Sequence, residues 1–365
     1  MVHNFSPYLL QFTDGFGIYW YGLFYLISVL ISFGLILWFS NRQQMGFTTE
    51  LAIDFIGFVG VNFLIFARLG YLIYEPSLLM QFRTEFPYWG ALALNDGGLS
   101  IHGAMLGALV ATFLFSYRSG ISQIYLLDLS AVIGAFSIFL GRISNFMGGE
   151  YLGRSLYEVH GYGVKFLNSS ANEFLIKFPQ EILHWPQLYF SKLNALLPVV
   201  EKVPSLESET WVHSLLQYQE SEQARTQVHS ILETILISIQ NGNKAALDTL
   251  VPLLEMRHPV QIYSALSEGL FIFIFLFVLW FKPRKPGIIT SWFLILYSGI
   301  RIYVEQFALP EAQIGYHWLG LTQAQIMSAI TLTLGLWMLF FYSRRAGLPS
   351  LGWGLGQNVR IYRRG

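Results

Sequence analysis

Seven mainly apolar stretches, at roughly 16–39, 51–74, 99–117, 126–146, 261–281, 287–307 and 322–342, run through this chain. Each is long enough to cross a bilayer as a helix, which takes about 20 residues. Backbone inside hydrocarbon has no water to bond to, so such spans must satisfy themselves as helices. The expected fold class is therefore all-α: a polytopic membrane protein with seven transmembrane helices. Only 12% of the residues are charged, against about 25% in an ordinary soluble domain. Net charge is zero, so nucleic acid is not expected as a partner. The chain has no cysteine, which excludes disulfides, thiolate metal sites and an enzyme-bound thioester. Any thiol chemistry must use a sulfur brought by the substrate. The first apolar run lacks a basic leader and a cleavage site, so no cleavable signal peptide is expected.

Lys and Arg in the short connections set the orientation. Arg42 follows the first stretch, Arg118 the third, and Lys282, Arg284 and Lys285 the fifth. Arg344, Arg345, Arg360, Arg363 and Arg364 follow the seventh. The alternate connections, 75–98 and 308–321, hold only Arg83 between them. The N-terminus is expected outside and the C-terminus inside. The chain then divides into a membrane part with spans one to four at 1–154, an extracytoplasmic insert at 155–256, spans five to seven at 257–343, and a basic cytoplasmic tail at 344–365. In the insert, Val228, Ile231, Leu232, Ile235, Leu236 and Ile239 recur at helical spacing, and Asn241-Gly242-Asn243 breaks that helix. Ser205 or Ser208 is placed to cap a helix over 209–219. The insert reads as a small helical subdomain, either structural or substrate-docking. No internal repeat is visible, which weakens an inverted-repeat transporter reading.

With the orientation fixed, each polar residue acquires a depth at 1.5 Å per residue. Tyr21, Arg68, His102, Arg142, Glu268, Arg301 and Glu305 come from six spans, and all fall toward the outer leaflet. A path for ions would need polar groups through the whole thickness, so the pattern predicts a cavity open to the outer leaflet. Charged groups in a span are expensive without partners. The densest cluster is Gly141-Arg142-Ile143-Ser144-Asn145-Phe146-Met147-Gly148-Gly149-Glu150-Tyr151-Leu152-Gly153-Arg154. Its glycines allow close backbone approach, and its arginines suit a phosphate, since the planar fork donates two parallel bonds. Snorkelling arginines are the bland alternative. Arg301 and Glu305, four apart, share a helix face and could be only a structural pair. His102 can carry a proton near neutral pH, and Gly103 with Gly107 favours close helix packing. Tyr21 could equally be a belt aromatic. Arg257 and His258 open the fifth stretch beside Pro259 and could touch headgroups. No metal-ligand spacing is present, and no metal site is expected.

These motifs together resemble the prolipoprotein diacylglyceryl transferases. Gly141 to Arg154 is similar to that family's signature, with its Gly-Arg start, Asn-Phe, Glu and closing Gly-Arg. Trp20-Tyr21-Gly22-Leu23-Phe24-Tyr25, Asp96 to Gly107, Arg257-His258-Pro259 with Gln261 and Tyr263, and Arg301 to Glu305 resemble its other four motifs. The resemblance covers every span but not the insert, which is longer than the family usually has. It implies transfer of the diacylglyceryl group of phosphatidylglycerol to the lipobox cysteine of a prolipoprotein signal peptide, with release of glycerol phosphate. It places the chain in the inner (plasma) membrane of a bacterium, among membrane lipids, with no cofactor. By resemblance, Arg142 and Arg301 would hold the phosphate and His102 would take the thiol proton. Tyr21, Asn145 and Glu150 would orient the glyceryl unit or the arginines, and Glu268 and Glu305 would balance charge. Arg68, Gly153, Arg154, Arg257 and His258 complete the expected substrate-binding set. The chain departs from the family at Gly148 (usually asparagine), Val260 (serine), Ser264 (glutamate) and Ala308 (arginine). Two other classes stay open: a non-catalytic lipid- or lipoprotein-binding relative, and a transporter or channel.

Overall fold

A computed structural model describes residues 1–6, 8–13, 16–43, 48–82, 84, 87–93, 100–155, 175–282, 284–309 and 320–344. The chain divides into two compact units. The first comprises Met1–Leu26, Ile138–Phe271 and Leu296–Leu332; the second comprises Ile27–Ser137, Ile272–Ile295 and Thr333–Gly365.

Among the described residues, five helices are long and apolar enough to cross a membrane: Trp20–Asn41, Thr49–Ile73, Gln123–Gly148, Val260–Trp280 and Gln323–Arg344. They coincide with the first, second, fourth, fifth and seventh apolar stretches. The helix Ile101–Ser119 coincides with the third and the shorter helix Ile288–Val304 with the sixth. Leu30, Ile65, Ile73 and Trp337 are exposed along these helices, a pattern that suits lipid rather than water. The chain is mainly helical, as expected, and a membrane protein.

The start of the first helix is corrected. Residues 16–19 are not helical: β1 (Tyr8–Thr13) and β2 (Phe16–Tyr19) form an antiparallel hairpin, and α1 (Trp20–Gln43) begins only after it. Hydropathy counts Phe16 and Ile18 as apolar without seeing that they alternate with Gly17 and Tyr19 at strand period. The Tyr8 and Tyr19 hydroxyls, 2.8 Å apart, hold the open end together.

In the second unit, α2 (Thr49–Tyr74) packs on α3 (Ile101–Ser119) through glycines. A Cβ on Gly103 would strike Phe66 O, and one on Gly107 would strike Asn62 O. The expected close packing at this pair is present. Further along, α4 (Gln123–Gly148) carries Asp128 in its early turns.

In the first unit, the insert forms its own core. Short helices α5 (Trp185–Leu188), α6 (Leu197–Val200), α7 (Ser208–Leu216) and α9 (Lys244–Leu250) surround α8 (Glu222–Gln240). Val228, Ile231, Leu232, Ile235, Leu236 and Ile239 are all buried, with Trp185 and Trp211 completing the cluster. Ser221 caps α8, accepting from Ala224 N at 3.3 Å, and the helix ends at Gln240 before Gly242 at φ 97°. The expected cap of α7 is corrected: Ser208 is its first helical residue, and Glu207 stands at the cap with no side-chain bond to a backbone N–H of the helix. The Glu207 carboxylate accepts from Thr210 Oγ1 instead, at 3.2 Å.

The fifth apolar stretch folds as α10 (Val260–Ser264), a π-helical turn at Ala265–Phe271, and α11 (Ile272–Trp280). The last two helices among the described residues are α12 (Ile288–Val304) and α13 (Gln323–Arg344).

Candidate functional site

The site in the first unit starts from the way α4 ends. Gly149 adopts φ 68°, a conformation that costs glycine little. Gly149 N then donates to Phe146 O at 3.1 Å and Glu150 N to Asn145 O at 2.9 Å, the paired bonds of a Schellman cap. This cap folds Glu150 back over the helix end. Tyr21, in the first turn of α1, donates its hydroxyl to Glu150 Oε2 and accepts from Asn145 Nδ2 at 2.7 Å. Gln261 Nε2 donates to the Glu150 carbonyl at 2.6 Å. Gly148 lies close by: a Cβ there would meet Tyr21 at 3.4 Å and Glu150 at 3.8 Å. An asparagine at this position would therefore face the same pair.

One turn earlier on α4, Arg142 meets the π turn Ala265–Phe271. A Cβ on Gly269 would lie 2.5 Å from the Phe139 backbone, so only glycine lets the π turn approach α4 this closely. The neighbouring Glu268, fully buried, then reaches Arg142 NH2 at 3.4 Å and Arg301 NH1 at 3.4 Å. Tyr151 completes the group. Its ring centroid lies 4.5 Å from the Arg142 guanidinium and 5.2 Å from that of Arg301, and its hydroxyl accepts from Arg301 NH1. Tyr151 holds φ 54°, which a non-glycine residue keeps only when its surroundings impose it. Burial raises the Tyr151 pKa above its ordinary value, although Arg301 and Arg142 pull it down. Arg301 NH2 also pairs with Glu305 at 2.9 Å, and Glu305 Oε1 accepts from Thr322 Oγ1 at 3.1 Å.

Beyond Tyr151 the chain is extended and bracketed. Leu309 N donates to Leu152 O at 2.9 Å, Arg154 N to Phe307 O at 2.8 Å, and His258 N to Arg154 O at 3.1 Å. A Cβ on Gly153 would strike the His258 carbonyl, so this bracket requires glycine. Arg154 is buried, and His258 packs its ring on Phe307 and faces the Tyr263 hydroxyl at 3.3 Å from Nδ1. Burial lowers the His258 pKa below its ordinary value.

The structure thus brings together Tyr21, Asn145 and Glu150, and joins Arg142, Glu268, Arg301 and Glu305. It brackets Gly153, Arg154 and His258 in the same unit. Arg257 is only 1% exposed and is bonded to Glu181, Glu255 and Gly153 O. Arg68 belongs to the second unit, where Nε donates to Ala91 O at 2.8 Å and NH2 to Gly90 O at 2.7 Å. His102 lies in the first turn of α3, capped by Ser100, and also in the second unit. The His102 side chain and residues 94–99 lie outside the described residues. Among the described residues no three His, Asp or Glu gather as metal ligands. Tyr151 and Thr322 were missed in the sequence. Tyr151 sits inside the densest polar stretch, which was the available signal; Thr322 carried none.

A family model described as prolipoprotein diacylglyceryl transferase matches residues 7–341. A Bdellovibrio bacteriovorus protein named phosphatidylglycerol--prolipoprotein diacylglyceryl transferase is 40% identical over 365 residues, covering 100% of both chains. That relative therefore shares the long insert. Proteins of the same name from Proteus mirabilis and Acinetobacter baumannii are less similar. The first is 28% identical over 344 residues, 91% of this chain and 90% of the relative. The second is 26% identical over 328 residues, 89% of this chain and 88% of the relative. With its two-arginine station and a family match along nearly its whole length, the chain belongs to the prolipoprotein diacylglyceryl transferase family, as a membrane-bound transferase of lipoprotein biosynthesis.

Proposed function

We propose that the protein transfers the diacylglyceryl group of phosphatidylglycerol to the lipobox cysteine of a prolipoprotein, forming a thioether and releasing glycerol phosphate. The observation that carries this reading is the pair Arg142 and Arg301 facing one buried carboxylate, Glu268, and one ring, Tyr151. Both contacts to Glu268 are 3.4 Å, longer than the roughly 2.7–2.9 Å of a well-formed charge-assisted bond. Each guanidinium therefore keeps donors for a phosphodiester held between them. The precursor's thiol gives its proton to His102. The thiolate, far more nucleophilic than the thiol, attacks the glyceryl carbon that bears the phosphate oxygen. A C–S bond forms as the C–O bond breaks, and the electron pair leaves on the phosphate oxygen. The two guanidinium groups stabilise that departing charge where it develops.

Tyr21, Asn145 and Glu150 orient the glyceryl unit, while Glu268 and Glu305 balance the arginines. Gly153, Arg154 and His258 form the wall beside the headgroup. Arg257, whose donors serve Glu181, Glu255 and the Gly153 carbonyl, shapes the site without touching lipid. Seven spans, an outside N-terminus and an outside insert turn the site toward the outer leaflet of a bacterial inner membrane, where the lipid and the precursor's signal peptide both lie. The basic residues that follow the first, third, fifth and seventh stretches support that orientation.

The test is purified protein with phosphatidylglycerol and a lipobox peptide, read by mass on the peptide's cysteine. A gain of one diacylglyceryl group is expected, lost in Arg142→Ala and His102→Ala. Lipid and peptide binding without any mass gain, in an assay where a known transferase works, would sink the proposal in favour of a non-catalytic relative.

A further inference from the structure

The described part of the insert meets the signature turn through one short 3-10 helix, Pro179–His184. Gln180 fills the space that a Cβ on Gly149 would enter, with its Cγ 2.7 Å away. The next residue, Glu181, is 1% exposed. Its Oε2 accepts from Arg257 Nε at 2.5 Å and its Oε1 from Glu255 N at 3.2 Å. Arg257 turns NH1 to the Gly153 carbonyl at 3.1 Å and NH2 to Glu255 Oε2 at 3.3 Å. Glu255 in turn pairs with Lys192 at 2.5 Å. One guanidinium thus joins two carboxylates of the insert to a carbonyl of the signature. Backbone bonds repeat the link: Ile176 N to Arg257 O at 3.0 Å, Arg257 N to Ile176 O at 2.9 Å, and His258 N to Arg154 O at 3.1 Å.

A closed, buried pair of this kind is weak evidence for stability, because desolvation offsets most of the attraction. A planar fork on fixed acceptors supplies geometry instead. The carbonyl it holds is two residues from Tyr151, the ring flanked by Arg142 and Arg301. We propose that Glu181 is a positioning residue for the transfer reaction: acting through Arg257, it fixes the Gly153 carbonyl and so the Tyr151 ring. The insert is then part of the frame of the site. The proposal rests on the transferase reading above.

Glu181→Gln keeps the side chain's shape and an acceptor but removes the charge. Ile235→Ala loosens the core of the same insert and serves as the control. Wild type and both variants are assayed in detergent with phosphatidylglycerol and a lipobox peptide, and amide hydrogen exchange is followed on the same samples. Misplacing a reacting group by about 1 Å can cost on the order of a hundred-fold. Glu181→Gln is accordingly expected to lower kcat about ten- to a hundred-fold, with KM for the lipid within about two-fold. It is also expected to speed exchange at the Arg154 and His258 amides. Ile235→Ala should lower the melting temperature and leave kcat and those two amides unchanged. Wild-type kcat in Glu181→Gln overturns the proposal, and so does an equal kcat loss in Ile235→Ala. A wild type without transfer overturns the transferase reading itself. In that case unchanged exchange in Glu181→Gln also overturns the link from Glu181 to the signature segment.

Discussion

Tyr21 has one hydroxyl and two partners for it, donating to Glu150 while accepting from Asn145. Tyr21→Phe leaves an amide and a carboxylate short of a partner at once, a loss of roughly 1–3 kcal/mol where such groups are buried. The expected result is a kcat/KM lower by about ten-fold or more, since about 1.4 kcal/mol is a factor of ten, with a native-like melting curve. Full activity in the peptide mass assay would remove Tyr21 from the site. These three residues were legible because each is a polar group at the end of an apolar run. Tyr151 was not, since a tyrosine beside a span is ordinarily a belt aromatic and its positive φ leaves no trace in composition. Glu181 was hidden for the opposite reason: acidic residues are unremarkable in a polar interval. His3 offers a test by pH. It is 1% exposed, with ring centroids about 5 Å from those of Phe5, Phe146 and Phe178, and burial lowers its pKa below the ordinary value. The unfolded chain therefore takes up this proton first as pH falls, so stability is lost from about pH 6.5 down to the lower folded value. His3→Phe keeps a ring and cannot titrate, so between about pH 7.5 and about pH 5.5 its melting temperature should fall less than that of wild type. An equal fall would show that His3 does not carry this dependence.

At the scale of elements, hydropathy located helices well and their joints poorly. The expected apolar stretch 126–146 and the observed α4, Gln123–Gly148, differ only at their ends. What closes α12 was invisible, because its partner comes from elsewhere in the chain. Asp128 of α4 accepts from Gly287 N at 2.7 Å, Thr290 N at 2.7 Å and Thr290 Oγ1 at 2.6 Å. This is an N-terminal cap supplied from 159 residues away, where a local capping pattern would have been readable. A carboxylate at a helix start also complements the helix dipole. Asp128→Asn retains one oxygen acceptor and loses the charge, so it should destabilise by about 1–3 kcal/mol, seen as a lower melting temperature. Asp128→Ala should fall further. If neither variant melts earlier than wild type, the cap contributes nothing to the fold. The π turn at Ala265–Phe271 was equally silent. Gly269 looked like any glycine in a span, and only its contact with Phe139 explains why Glu268 reaches two arginines.

For the whole molecule, the insert was legible as a helical body from its 3.6-residue periodicity, while its attachment to the signature was not, since that depends on tertiary pairing. Sidedness comes from basic residues alone, and it decides which leaflet supplies the lipid. The absence of cysteine makes it directly testable, because any introduced thiol is the sole target for a maleimide. Glu220 and Lys282 are both exposed, the first in the insert and the second just after α11. The bias of Lys and Arg toward the cytoplasmic side predicts Lys282 inside and the insert outside. In intact spheroplasts, a membrane-impermeant maleimide should label Glu220→Cys and spare Lys282→Cys, and permeabilisation should then expose the second. The reverse pattern would turn the two-arginine station toward the inner leaflet, away from a precursor cysteine delivered at the outer surface. Labelling of both before permeabilisation would mean that an odd number of spans does not separate them. The reverse pattern would require a different lipid source for the reaction, even with every contact around Arg142 and Arg301 intact.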